Sequence, residues 1–224
     1  MTDRRSPGRD AAGVDDYLAQ ALSIGDDALT QVLRASADAG LPDIAVSPTQ
    51  GRFLQLLTEI LGAQRALEVG TLGGYSTICL ARGGARVTTL EIDPRHAEVA
   101  TANVARAGLA DRVEVLVGPA AETLTRLTAE RAGPYDLVFV DADKRGNPAY
   151  VRAALDLSRP GTVIVVDNVI RGGGVVDESS SDPNIVGTRE VLALLGSDPR
   201  LSTATALQTV GHKGWDGFAI ARVR

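Results

Sequence analysis

The chain has 224 residues, 44% of them apolar, which is enough to bury one sizeable core and too apolar for a disordered chain. No apolar run is long enough to cross a bilayer, the charged start lacks a signal-peptide hydrophobic stretch, and the single cysteine, Cys79, rules out an internal disulfide, so a cytoplasmic protein is expected. The net charge of −5 gives no support to bulk electrostatic binding of nucleic acid.

Residues 1–12 read as a flexible tail and 13–224 as one domain, with no repeat or linker to divide it. Leu18, Ala21, Leu22, Leu29, Val32 and Leu33 form one apolar stripe, which predicts a helix over about 15–39, ended by Gly40 and Pro42. A turn, Val46-Ser-Pro-Thr-Gln-Gly51, leads into a second helical run from Phe53 to Leu61. Strand-like apolar runs follow at 65–70, 86–91, 112–117, 136–141 and 162–167. Helical patterns lie between them, near 76–82, 95–107, 120–131 and 148–158. Asp93-Pro94 opens one of these helices and Gly108 closes it. The alternation implies a parallel sheet with helices on both faces. The end of the chain differs. A helix is expected over 185–195, then strands at 201–208 and 217–223. The Gly-His-Lys-Gly link at 211–214 is short enough to require that they run antiparallel.

Three stretches carry chemistry. The first is Ala66 to Thr77, where an apolar strand runs into Gly70, Gly73 and Gly74 and then into a helix start. Glycines let a ligand approach the backbone, and a helix N-terminus presents free N–H groups. The dinucleotide fingerprint asks for glycine at its first, third and sixth positions. Counting from Gly70, those positions hold Gly70, Leu72 and Tyr75, so only the first fits. An acid, Glu68, also sits inside the strand, where it would repel a pyrophosphate but suit a zwitterionic amino-acid tail. Glu91, 21 residues after Gly70 and at the end of the next apolar run, suits two ribose hydroxyls. A ribose, a ring of adenine size and a cationic tail without phosphate describe S-adenosylmethionine.

The second stretch, Asp136 to Lys144, ends an apolar strand at Asp141 and continues through Ala142 and Asp143 to Lys144. The third ends the next strand at Asp167-Asn168. Ligands of doubly wound sheets bind at the carboxyl ends of strands, so Asp141, Asp167 and Asn168 are expected side by side. Two carboxylates and an amide oxygen favour Mg²⁺, Mn²⁺ or Ca²⁺ over zinc. A phenol, with a pKa near ~10, is a poor nucleophile at neutral pH until a cation stabilises its anion. Lys144 stands next to this edge and can take the proton once burial and the cation favour its neutral form.

The run Leu67-Glu-Val-Gly-Thr-Leu-Gly-Gly-Tyr-Ser-Thr77 resembles the first motif of class I S-adenosylmethionine-dependent methyltransferases. Within that class the chain resembles, from about Val46 to its C-terminus, the cation-dependent O-methyltransferases that include catechol and caffeoyl-CoA O-methyltransferases. The resemblance implies an α/β, doubly wound, seven-stranded Rossmann-like sheet, mostly parallel, with an antiparallel C-terminal hairpin and extra N-terminal helices. It implies metal-dependent methyl transfer to a hydroxyl of a catechol-like aromatic diol, in a homodimer. It assigns the metal to Asp141, Asp167 and Asn168, and the catalytic base to Lys144. Contacts to S-adenosylmethionine fall to Val46, Glu68, Gly70, Ser76, Glu91 and Ala120, with Thr71 of the turn counted among them. Asp141 also lies near the methionine part, and Asp143 matches a cofactor residue of the caffeoyl-CoA subgroup. A turn or cap carboxylate is nearly as good a reading of Asp143.

Other readings stay in play. Some bacterial relatives methylate a hydroxylated base, so a tRNA hydroxyuridine O-methyltransferase is the alternative, with the acidic charge against it. A nicotinamide-dependent dehydrogenase lacks its second and third fingerprint glycines. Residues 171–187, rich in glycine and serine and directly after Asn168, read as a mobile lid over the substrate rather than a plain connection. His96 is expected at the surface or in a cap, His212 and Lys213 in an exposed turn, and Cys79 and Trp215 in packing roles.

Overall fold

The computed structural model describes residues 11–224. The first ten residues of the expected 1–12 tail lie outside that range, and helix α1 (Ala11–Ala21) begins directly at its edge. The single helix expected over 15–39 is two helices. Ser23 and Gly25 adopt left-handed backbone (φ 49 and 93), and Asp26 then caps α2 (Asp27–Asp38) by accepting from Leu29 N at 2.9 Å. Periodicity bridged this break because Leu22 and Leu29 fit one stripe. The cap and the glycine decide it locally. Helix α3 (Pro48–Leu61) starts earlier than the expected Phe53, capped by the Ser47 hydroxyl with Pro48 in the first turn.

From there the chain alternates as expected: β1 (Arg65–Val69), α4 (Tyr75–Arg82), β2 (Arg86–Glu91), α5 (Pro94–Arg106), β3 (Val113–Val117), α6 (Ala120–Ala129), β4 (Tyr135–Val140), a 3-10 turn (Lys144–Gly146), α7 (Asn147–Asp156) and β5 (Ser158–Asp167). A second 3-10 segment (Arg171–Val176), α8 (Pro183–Ser197), β6 (Leu201–Gly211) and β7 (Gly214–Val223) complete it. The hairpin strands are longer than the sequence pattern implied, leaving only His212 and Lys213 between them.

The sheet order is β3-β2-β1-β4-β5-β7-β6. The first five of these strands pair in parallel, and β7 pairs antiparallel with both β5 and β6, so six strands point one way and β7 the other. Alternation of period two splits the core between the two faces. Leu67, Val69, Val138, Val140, Ile164 and Val166 pack against Leu124 of α6, Val151 of α7 and Val191 of α8. Ala66, Leu137, Phe139, Val163 and Val165 pack against Val32 of α2, Leu54 of α3, Ile78 of α4 and Val104 of α5. The order reverses beside β1, between β2 and β4, which opens a crevice at the carboxyl edge.

Candidate active site

Gly70 sits where β1 ends. Its N–H donates to Leu90 O at 2.9 Å, and Asp141 N donates to Val69 O at 2.8 Å, so the ends of β1, β2 and β4 are locked together. Gly70 takes φ 101, and a Cβ there would lie 2.1 Å from Asp141 O. No other residue fits this corner. Gly74 then caps α4 with no side-chain bond of its own, so the first-turn amides of α4 are left to a ligand.

Three buried side chains brace the turn. Glu91 Oε2 accepts from Thr71 N at 3.2 Å and Leu72 N at 2.8 Å, and its Oε1 accepts from Asp93 N at 3.0 Å. Asn103 of α5 donates from Nδ2 to Gly73 O at 2.9 Å and is itself fixed by Arg106, which donates to Oδ1 at 2.5 Å. Thr89 donates to Glu68 Oε2 at 2.7 Å, and the Thr77 hydroxyl donates to the same oxygen. Glu91 therefore supports the turn as well as facing the crevice, a role that its spacing from Gly70 did not reveal.

Glu68 departs from the expected picture. It is 0% exposed and lies behind the crevice rather than in its wall. Its Oε1 has no hydrogen-bond partner of normal geometry among the described residues. Burial pushes its carboxyl up to about 7, against the pull of the Ser76, Thr77 and Thr89 hydroxyls and with a further push from Asp141.

The other expected residues share one cleft of about 1770 Å³, lined by Val46, Gly70, Thr71, Ser76, Glu91, Ala120, Asp141, Asp143, Lys144, Asp167 and Asn168. A site for one drug-sized ligand measures roughly 300–1,000 Å³, so this cleft has room for a cofactor and an acceptor together. Lys144 is 8% exposed and donates to Asp141 Oδ1 at 2.8 Å. It is held there from behind, because a Cβ on Gly187 of α8 would meet Lys144 O at 2.5 Å. Asp143 makes no cap bond to the 3-10 turn that it precedes. Instead Tyr150 donates its hydroxyl to Asp143 Oδ1 at 2.5 Å.

Asp167 is 5% exposed, and its Oδ1 accepts from Asn168 N at 2.8 Å. Burial, and then the neighbouring Asp141, push its carboxyl up to about 7, against the pull of Lys144 and the Gln50 side chain. Asn168 occupies left-handed backbone (φ 57), a conformation that asparagine tolerates better than most residues. Among the described residues no three His, Cys, Asp or Glu side chains form a metal-binding group. The donor set is two carboxylates plus an amide. Two acids crowded at one buried edge with a single lysine still fit a hard divalent cation that keeps open positions.

Several contributors went unread in the sequence. Gln50 lines the cleft on the Asp167 side. His96 stands 3.7 Å from Glu91 Oε1 and 3.8 Å from Asp93 Oδ2, in the cleft wall rather than in a cap. At the far rim Lys213 pairs with Asp43 at 3.0 Å, and the His212 ring meets Asp16 at 2.8 Å, which ties the hairpin tip to α1 and the 42–46 segment. In the first half of 171–187 the 3-10 turn is kinked by left-handed backbone at Gly172 and Gly173 (φ 61 and 87), and Asp177 to Asp182 complete a largely exposed link to α8.

Comparison with known proteins agrees with this geometry. A family model described as O-methyltransferase matches residues 20–222. A catechol O-methyltransferase of Mycobacterium tuberculosis is 57% identical over 214 residues, covering 94% of this chain and 95% of that protein. An O-methyltransferase of Bacillus cereus, solved in complex with SAH, superposes with a TM-score of 0.93 at 52% identity, over 96% of this chain and 98% of that one. The Streptomyces achromogenes O-methyltransferase involved in tomaymycin synthesis, solved with SAM, gives 0.90 at 43% identity, over 100% of this chain and 99% of that one. A glycine turn at the reversal of a seven-stranded sheet, and relatives alike over nearly their whole length, place the chain in the class I S-adenosylmethionine-dependent O-methyltransferase family.

Proposed function

We propose that the chain is a divalent-metal-dependent enzyme that moves the methyl of S-adenosylmethionine to a hydroxyl of a catechol-like aromatic diol. The observation that carries this reading is the oxygen set Asp141, Asp167 and Asn168 at adjacent strand ends, in the same cleft as the glycine turn and beside Lys144. The names of the relatives from Mycobacterium tuberculosis and Niastella koreensis, both catechol O-methyltransferases, point the same way.

A cation bound at these oxygens supplies Lewis acidity to a phenol and orients two vicinal hydroxyls. The chain does the rest. Val46, Ser76, the turn amides and Ala120 hold the cofactor, with Glu91 at its ribose. Asp141 spans both ligands, because its backbone closes on Gly70 while its carboxylate faces the cleft. Lys144 Nζ is positioned to receive the acceptor proton. No acid is needed at the leaving group, since a sulfonium departs as a neutral thioether. The remaining task is to hold oxygen, methyl carbon and sulfur in line. We propose a homodimer as well, supported by the apolar side chains that stay exposed on the edge strand β6, Leu207 and Val210.

The experiment is methyl transfer to catechol and caffeic acid with Mg²⁺, then with EDTA. Turnover that EDTA abolishes, and that Asp167→Ala lowers by at least ~100-fold, is expected. Activity untouched by the chelator would sink the metal role while leaving methyl transfer intact.

A further inference from the structure

Besides His96, four basic side chains line the cleft: Lys144, Arg145, Arg171 and Lys213. Lys144 is bonded to Asp141 at 2.8 Å and Lys213 to Asp43 at 3.0 Å, while Arg145 pairs with Asp143 at 3.6 Å and is 77% exposed. Arg171 differs. Its side chain is 34% exposed, and its Nε is buried without a hydrogen-bond partner among the described residues. The acid that faces it, Asp216, makes a long ion pair, Oδ2 standing 3.7 Å from Nη1, beyond hydrogen-bond length.

Asp216 is occupied with the backbone instead. Its Oδ1 accepts from both Ile170 N and Arg171 N at 3.0 Å. Arg171 takes left-handed backbone (φ 57), followed by Gly172 and Gly173 (φ 61 and 87), and a Cβ on Gly173 would press on the Trp215 ring at 2.8 Å. A non-glycine residue persists in this region only where its surroundings over-determine it. The turn is thus clamped from Asp216 and Trp215, and Arg171 is fixed in the cleft wall three residues past Asn168. Three residues span at most about 10 Å of chain, the scale of an aromatic ring with a short side arm.

A planar guanidinium whose Nε is unpartnered, and whose facing acid stands off at 3.7 Å, is matched by a carboxylate, which such a group can take up through two parallel bonds. Asp216, which faces Arg171, disfavours a dianion such as phosphate more than a single carboxylate. We propose that Arg171 binds a carboxylate carried by the methyl acceptor, so that the enzyme selects aromatic diols with an acidic substituent over neutral ones. The inference rests on the diol reading above and names the class of diol.

The test compares 3,4-dihydroxybenzoate with its methyl ester, in the wild type, Arg171→Met and Arg171→Lys. The acid-to-ester ratio of kcat/KM is expected to be at least ~10 in the wild type and near one in Arg171→Met, through a higher KM for the acid. Arg171→Lys, which keeps the charge without the fork, is expected between them. Because each ratio is taken within one variant, loss of folded protein cancels. Equal turnover of acid and ester by the wild type, or a ratio that survives in Arg171→Met, overturns the Arg171 proposal alone. Turnover of neither compound by the wild type overturns the diol reading, and this proposal with it.

Discussion

Glu68 shows how one residue can burden a fold for the sake of its site. Its carboxyl is held at about 7 in the folded chain, above the ordinary value of 4.5. The folded state therefore keeps a proton that the unfolded state has released between those two pH values, and stability falls as pH rises through that window. Glu68→Gln removes this titration. The loss of stability between pH 5 and pH 8 is expected to shrink by about 3 kcal/mol relative to the wild type, at 1.36 kcal/mol per pKa unit. Urea melts of both proteins at the two pH values measure it, and identical pH slopes would refute it. Asp167 titrates in the same direction in both proteins, so the difference isolates Glu68. Seen in the sequence, Glu68 was an acid in a strand that suited the cofactor's amino-acid tail, with nothing to show its burial. Its complete burial against Thr77 and Thr89 depends on partners 9 and 21 residues away, which no local pattern displays. Asn103 is a sharper case, since a polar residue in an amphipathic helix reads as surface until Gly73 is seen 2.9 Å from its amide.

At the scale of elements, the parallel strands were legible because each carries a short apolar run, and the strand-end acids were legible because a charge stops such a run abruptly. Asp141, Glu91 and Asp167 all mark that stop, and all three lie at the carboxyl edge. The break between α1 and α2 was not legible, because the stripe of apolar positions carried through it. The physics of the two helices differs accordingly. Helix α2 buries Leu29 and Val32, whereas α1 buries nothing. Polar bonds from the hairpin tip tie α1 down: Asp15 Oδ2 accepts from His212 N at 3.0 Å, and Asp16 meets the His212 ring at 2.8 Å. Exposed pairs of this kind are worth about 1 kcal/mol or less. In Asp15→Ala/Asp16→Ala, amide hydrogen exchange over 11–21 is expected to accelerate several-fold while 27–38 stays unchanged. Equal exchange in α1 would show that other contacts hold it. Since Asp15 also lines the cleft, such loosening reaches the cleft at its hairpin-tip rim rather than at the glycine turn.

For the whole molecule, the sheet buries both faces under helices and leaves one long edge open. Residues 202–210 of β6 are exposed along their length, and such an edge invites another chain. In the proposed homodimer, light scattering coupled to gel filtration is expected to give twice the chain mass, and Val210→Lys with Leu207→Lys to shift it toward the single chain. A wild type that runs as one chain at micromolar concentration would remove the homodimer from the description. The order of the strands has a further bearing on how the protein is made. The edge strand β6 touches the sheet only through β7, which lies between it and β5 yet follows it in the chain. On the ribosome, β6 emerges with no neighbour to join and must wait for the last strand to be translated. Until then β5 is the border of the sheet, and completion adds two strands in one step.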